Sequence, residues 1–451
     1  MSNKISLKDM TAIGLMLFAL FFGAGNLIFP PSLGQGAGGN LWPAIIGFLI
    51  TGVGLPLLGV LAIGLSGSED SQALASKVHP IFATVLMVSI YLTIGPLFAI
   101  PRTAAVSYEI GIRPFMPNDS GVNTIGLSLY TLLFFCITYW LSLNPNKLVD
   151  RIGKILTPLL LITLVVILVQ PIINPLGTIQ MPSVEYANSP LFTGFKEGYL
   201  TMDTLASVVF GIVVINAIKA KGVTKSKDIT KVCARVGLIS AGFLAIIYAA
   251  LAYVGATSVE TLGQVANGGI ILSSVANHFF GPLGNVVLGL AIIFACLTTS
   301  IGLISSCATY FTKIFPRFSY KQLVAGFTLF SAAVANMGLN QLIAFSVPVL
   351  VALYPIVIVL ILLVFLEPLF NGKREVYVCS IFLTALISLL DGMQAAGLQL
   401  ILVHQWLNRV MPLYAEGFGW VVPAIVGVVL GYCINVARKS NSLSAVGNER
   451  G

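Results

Sequence analysis

The side chains able to do chemistry in this 451-residue chain are few, and apolar sequence surrounds them. Asp203 follows Gly198-Tyr199-Leu200-Thr201-Met202 and precedes a long apolar run that opens at Val208. A carboxylate inside a membrane helix costs about 3 kcal/mol and is retained where it has a partner or a task. Three roles fit Asp203: ligand to a cation, counter-charge to an ammonium group, or hydrated cap on free amides at a helix mouth. A second cluster, Phe22-Gly23-Ala24-Gly25-Asn26-Leu27-Ile28-Phe29-Pro30-Pro31, sets two glycines, an amide and two prolines in another apolar run. A third, Cys296-Leu297-Thr298-Thr299-Ser300, offers hydroxyls that suit a small hard cation or bond back to their own helix carbonyls. Arg102, after Pro101, either pairs with Asp203 or Glu109 as an outer gate or snorkels to the interface.

These residue types do not assemble into a catalytic set. His79, His278 and His404 fall in loops or near helix ends, no His-Glu-x-x-His occurs, and no Ser or Cys has a histidine base near it in sequence. The six cysteines lie inside apolar runs without disulfide or zinc spacing, as small packing residues do. The chain is therefore not expected to be an enzyme. A channel would show a repeated pore loop or filter motif, and none is visible.

The elements that must position these groups follow from composition. With 57% hydrophobic residues, 9% charged residues and a mean hydropathy of +0.97, there is too little polar surface to coat a soluble globule. Apolar stretches of about 20 residues recur, as membrane helices require and β-barrel strands do not. The expected fold is an all-α polytopic membrane protein with about twelve transmembrane helices. They are read at 9–33, 41–65, 80–106, 122–143, 152–173, 195–218, 229–254, 282–311, 322–337, 342–365, 376–390 and 417–436. The stretches 107–123, 174–191 and 390–416 read as ordinary extramembrane loops. The first helix follows Lys4 and Lys8 with no small-residue cleavage site after it, so it reads as retained, with Met1 as the mature N-terminus.

Loop charge sets the orientation. Twenty of the 24 Lys and Arg residues fall in one set of alternate loops, and the other set keeps only Arg102, Arg113, Lys196 and Arg409. Cytoplasmic loops carry such an excess, so both termini are expected on the cytoplasmic side.

Glycine and proline weaken helices, and backbone groups freed within lipid need a protein partner or a polar cavity. Close packing through small residues or a simple proline kink would also account for the first cluster. The two unusual segments fall in the first and sixth helices, corresponding positions if two five-helix inverted repeats follow one another. The domain reading is thus one transmembrane domain over 1–451. It contains a first repeat at 9–174, a second at 195–366, two additional helices at 375–437 and a cytoplasmic tail at 438–451.

The runs Phe21-Phe22-Gly23-Ala24-Gly25-Asn26-Leu27-Ile28-Phe29-Pro30-Pro31, Ala99-Ile100-Pro101-Arg102-Thr103-Ala104 and Gly198-Tyr199-Leu200-Thr201-Met202-Asp203-Thr204-Leu205-Ala206 carry a family resemblance. With them the chain resembles, end to end, the bacterial branched-chain amino acid:cation symporter family, the LIVCS carriers. The resemblance implies sodium-coupled import of leucine, isoleucine and valine by alternating access on a LeuT-like scaffold in the bacterial inner membrane. It also implies no cofactor, no nucleic acid and no obligatory protein partner; the lipid bilayer and the small-molecule cargo remain. Gly23-Ala24-Gly25-Asn26 with Phe29-Pro30 is similar to the first-helix pattern of the sodium-coupled neurotransmitter transporters, one residue shorter before Phe-Pro.

By that resemblance the amides of Ala24 and Gly25, beside Asn26, take the cargo carboxylate. Carbonyls near the breaks, with Tyr199 and Thr201 nearby, would face its ammonium with help from Asp203, and Phe210 would be a lid. Sodium would meet the carbonyls of Ala19, Phe22 and Cys296 and the hydroxyls of Thr299 and Ser300. Arg102 and Glu109 would gate. A proton-coupled or differently selective amino acid permease on the same scaffold is the alternative.

Overall fold

The structure, a computed structural model, describes residues 5–66, 72–117, 120–143, 157–398 and 400–448. The first residues of the expected helix 152–173, and the lysines and arginines at 4, 147, 151, 154 and 450, lie outside the described residues. Within them the chain is helical, with no strand. Among the described residues nine helices are long and apolar enough to cross a membrane, and Thr157–Ile173 adds a shorter apolar one. Large apolar side chains such as Leu132, Ile246 and Leu329 are exposed along them, as a lipid solvent permits.

Each expected helix has a counterpart. The first comprises α1 (Leu7–Phe21) and α2 (Ala24–Ala37), and the second α3 (Leu41–Leu49) and α4 (Leu55–Ser66), joined by a π-helical turn. After α5 (Gln72–Ser76), the third comprises α6 (Pro80–Leu92) and α7 (Ala99–Gly111). α8 (Ser120–Ser142) and α9 (Thr157–Ile173) are the fourth and fifth. α10 (Val184–Asn188) precedes the sixth, which comprises α11 (Pro190–Glu197) and α12 (Asp203–Ala220). α13 (Ser226–Leu262), α14 (Gly268–Ile314), α15 (Tyr320–Ala335) and α16 (Leu339–Phe370) complete the second set of five. α17 (Arg374–Ala395), α18 (Ile401–Val410) and α19 (Val421–Asn448) end the chain.

Three features differ from the sequence reading. The stretch 390–416 is not a plain loop, because α17 runs on to Ala395 and α18 occupies Ile401–Val410. α14 begins fourteen residues earlier than expected and bends at Gly281, whose φ of 61° precedes Pro282. Hydropathy marks only the membrane-crossing part of a helix, and both extensions are more polar than the spans they continue. The third helix is also broken: Gly95, just before Pro96, has φ −98° and ψ −127° between α6 and α7.

The chain divides into two compact units. Residues 1–61 with 90–346 form one, in which α1 and α2 pack on α13, α3 on α11 and α7 on α14. The approach of α2 to α13 needs a glycine: a Cβ on Gly255 would lie 2.0 Å from the Pro31 carbonyl oxygen. Residues 62–89 with 347–451 form the other, where α17 packs on α19. There Lys77 binds Glu367 at 2.5 Å, and the Arg374 guanidinium donates to the Val78 carbonyl at 3.0 Å.

Candidate functional site

The first break is narrower than the ten-residue motif that announced it. α1 ends at Phe21 and α2 starts at Ala24, so only Phe22 (φ −74°, ψ 82°) and Gly23 (φ −110°, ψ −159°) leave the helix. Pro30 and Pro31 lie inside α2, since a proline ring holds φ near its helical value. The Gly23 N–H turns to the Phe21 carbonyl at 2.8 Å and to Asn26 Oδ1 at 3.0 Å. In an unbroken helix that N–H would donate to Ala19. The break thus frees the Ala19 carbonyl at the end of α1 and the first amides of α2, those of Ala24 and Gly25.

The second break joins a 3-10 turn, Gly198–Thr201, to α12 through Met202 in the left-handed region (φ 64°, ψ 9°). A non-glycine residue there stores strain that the surrounding packing must hold. Thr201 stabilises the turn: its hydroxyl donates to the Gly198 carbonyl at 2.9 Å and accepts the Asp203 N–H at 3.3 Å. Asp203 then opens α12, and it is 2% exposed, so it is no hydrated cap at a helix mouth.

Asp203 is instead engaged by protein donors. Asn26 Nδ2 donates to Asp203 Oδ2 at 2.6 Å, and the Tyr248 hydroxyl donates to the same oxygen at 3.1 Å. Asn26 Nδ2 also donates to the Tyr248 hydroxyl. Tyr248 comes from α13, fully buried, with Phe22 stacked on its ring at 6.4 Å and Phe48 against it edge-on at 5.4 Å. Sequence reasoning missed this residue, because a tyrosine in an apolar helix carries no local signal that separates a site hydroxyl from core packing.

Between the breaks lies a small cavity of about 30 Å³. Ala24, Gly25, Asn26, Thr201, Asp203, Phe210, Arg102 and Thr299 all line it. Phe21, Ile94, Ala206 and Leu303 add an apolar wall, and Phe21 meets Phe210 edge-on at 5.7 Å. Tyr199 is buried beside Phe195, outside the lining. Arg102 donates from Nη1 to the Leu200 carbonyl at 2.7 Å and lies 5.1 Å from the centre of the Phe29 ring. Its guanidinium also covers Gly25, where a Cβ would come within 2.6 Å of Nη2. Glu109 is bonded to Arg113 at 2.6 Å.

The hydroxyl cluster of α14 splits. Thr298 and Thr299 both donate to the Ala295 carbonyl, at 2.8 and 3.1 Å, the back-bonding available to any membrane-helix hydroxyl. Ser300 Oγ is buried and has no hydrogen-bond partner among the described residues. Thr299 stands against the first break, its methyl 3.1 Å and its hydroxyl 3.3 Å from where a Gly23 Cβ would be. Cys296 is fully buried one turn before Ser300. Among the described residues no group of three or more His, Cys, Asp or Glu side chains converges. The starts of α2 and α12 present amides and positive dipole ends to the cavity, a setting that suits an anionic group.

The chain matches the family model described as branched-chain amino acid transport protein over residues 6–438. It is 53% identical to the branched-chain amino acid permease BraB of Bacillus subtilis, covering 97% of each chain. It is 41% identical to the branched-chain amino acid permease BrnQ of Escherichia coli, covering 95% of this chain and 96% of that one. Among solved structures it is similar to MhsT in complex with L-phenylalanine, with a TM-score of 0.59, 17% identity, and 85% of this chain and 98% of that one covered. The inward-facing conformation of Mhp1 gives a TM-score of 0.60 at 14% identity, over 95% and 91% of the two chains. At those identities the likeness speaks for the fold, which is LeuT-like, with helices one and six broken.

Proposed function

Since the chain belongs to the branched-chain amino acid transport protein family, we propose that it imports leucine, isoleucine and valine with sodium, by alternating access across the bacterial cytoplasmic membrane. That it is a multi-pass membrane transporter of branched-chain amino acids follows from the family and its helices. The observation that carries the finer reading is the meeting of both helix breaks on one cavity with Asp203 in its wall.

A zwitterion has two poles, and the cavity has two kinds of wall. The Ala24 and Gly25 amides at the start of α2, beside the Arg102 guanidinium, suit the carboxylate. Asp203 suits the ammonium, with Thr201 beside it and Tyr199 one turn earlier. The aliphatic side chain packs against Phe21, Ile94, Ala206 and Leu303, with Phe210 as a lid. Sodium is carried as a co-substrate by the carbonyls of Ala19, Phe22 and Cys296 and the hydroxyls of Thr299 and Ser300. The support for that set is the carbonyl released at Ala19 and the orphan hydroxyl of Ser300, since buried polar groups normally have partners. Arg102 and Glu109 guard the outer side.

Both termini facing the cytoplasm accords with the loop charges and with a 2.8 Å ion pair between Asp9 and Lys221. That pair brings the start of α1 and the end of α12 to one face, where lysines are dense. The test is uptake of labelled leucine, isoleucine, valine and alanine into proteoliposomes under separately imposed sodium and proton gradients. Accumulation of the three branched amino acids under the sodium gradient is expected. Uptake driven by the proton gradient alone would overturn sodium coupling, and alanine carried equally well would overturn the selectivity.

A further inference from the structure

The Asn26, Asp203 and Tyr248 triangle contains more hydrogen bonds than fixing two helix ends requires, and their directions are informative. Asn26 has two amide hydrogens; one goes to Asp203 and the other to the Tyr248 hydroxyl, while its Oδ1 accepts from Gly23. It therefore has no donor left for a cargo molecule. The hydroxyl proton of Tyr248 goes to Asp203. Both donors arrive on the same carboxylate oxygen, Oδ2.

The terminal torsion of an aspartate is soft and broad, so an unanchored carboxylate would turn within its site. Two donors on one oxygen remove that freedom. The Tyr248 ring that carries one of them is itself immobilised between Phe22 and Phe48 and is 0% exposed. We propose that Tyr248 is a positioning residue for Asp203: with Asn26 it commits Oδ2 to the protein and turns Oδ1 to the cavity, where it recognises the cationic amine of the cargo. This rests on the reading above in which Asp203 meets the ammonium pole. Asn26 then acts as a spacer between the breaks, and discrimination for an amine-bearing cargo depends on a residue outside the cavity lining.

The experiment compares inhibition of labelled leucine uptake in cells by unlabelled leucine and by 4-methylpentanoate, the leucine skeleton without its amine. The ratio of the two inhibition constants does not depend on how much folded carrier is present, so it can be read even from a poorly expressed variant. Tyr248→Phe keeps the ring between Phe22 and Phe48 and deletes the hydroxyl. The expected result is a fall of about tenfold in the preference for leucine, the scale of one lost hydrogen bond to a charged group. Inhibition by 4-methylpentanoate should stay within about twofold, since that ligand offers no group for Asp203.

Asp203→Asn, run in parallel, should also lose the preference. If Asp203→Asn loses it and Tyr248→Phe keeps it in full, the positioning role is overturned while the ammonium reading stands. If Asp203→Asn keeps it, the ammonium reading falls and this proposal with it.

Discussion

Asn26 and Asp203 stand 177 positions apart in the chain and are joined by a 2.6 Å hydrogen bond from amide to carboxylate. Each lies in the first turn of the helix that follows a break, so this bond ties together the two places where the membrane helices are interrupted. Its consequences are measurable.

Asn26→Ala removes the donor to Asp203, the donor to Tyr248 and the acceptor for Gly23 N–H. Leaving a buried carboxylate short of a donor is expected to cost about 3 kcal/mol, with loss of uptake. Unfolding in detergent measures the cost, and a wild-type melting curve would show that the breaks do not depend on Asn26.

Gly25→Ala places a methyl 2.6 Å from Arg102 Nη2 and 3.1 Å from Phe29 Cε2. The first obstacle is the end of a flexible side chain, so the fold should survive with Arg102 displaced. Half-saturating leucine is expected to rise about tenfold, the scale of one charge-assisted contact, with normal protein levels in the membrane. Uptake kinetics at saturating sodium decide it.

Ser300→Ala deletes a buried hydroxyl that has no hydrogen-bond partner among the described residues, so in sodium-free buffer the protein should melt at or slightly above the wild-type temperature. The stabilisation conferred by added sodium should shrink, because a bound ion stabilises in proportion to the logarithm of its concentration over its dissociation constant. With Thr299→Ala as well, half-saturating sodium should rise about tenfold or more while the maximal rate is kept. An unchanged sodium dependence would eliminate this ion site.

Arg102→Lys keeps the charge and loses the planar fork that reaches the Leu200 carbonyl and lies over Phe29. Leucine uptake is expected to fall about tenfold, the scale of one hydrogen bond from a charged group, with sodium dependence unchanged. Wild-type kinetics in Arg102→Lys would reduce Arg102 to a bare positive charge.

Much of this was legible in the residues. In lipid every backbone polar group must be satisfied within its own segment, so hydropathy translates directly into helices and loop charge into orientation. The breaks were legible for a similar reason: glycines at 23 and 25, and a carboxylate at 203, are costly inside a span wherever the rest of the chain lies. Their extent was less so. Pro30 and Pro31 look like part of the first interruption and are helical, because the missing proline N–H is tolerated once α13 packs alongside. The break at Gly95 has no distinctive local signature, since a Gly-Pro pair inside an apolar run is equally compatible with a mild kink.

By itself, then, the sequence determined that the chain is a bundle of membrane helices interrupted at the first and sixth, because those properties are local and the solvent enforces them. Only the tertiary structure decided which groups share a site. Tyr248 reaches Asp203 across 45 positions, Thr299 turns to its own helix while Ser300 does not, and Arg102 takes the Leu200 carbonyl while Glu109 pairs with Arg113. A hydroxyl or a guanidinium has the same local signature whichever partner it finds, and the partner is chosen by how the helices pack.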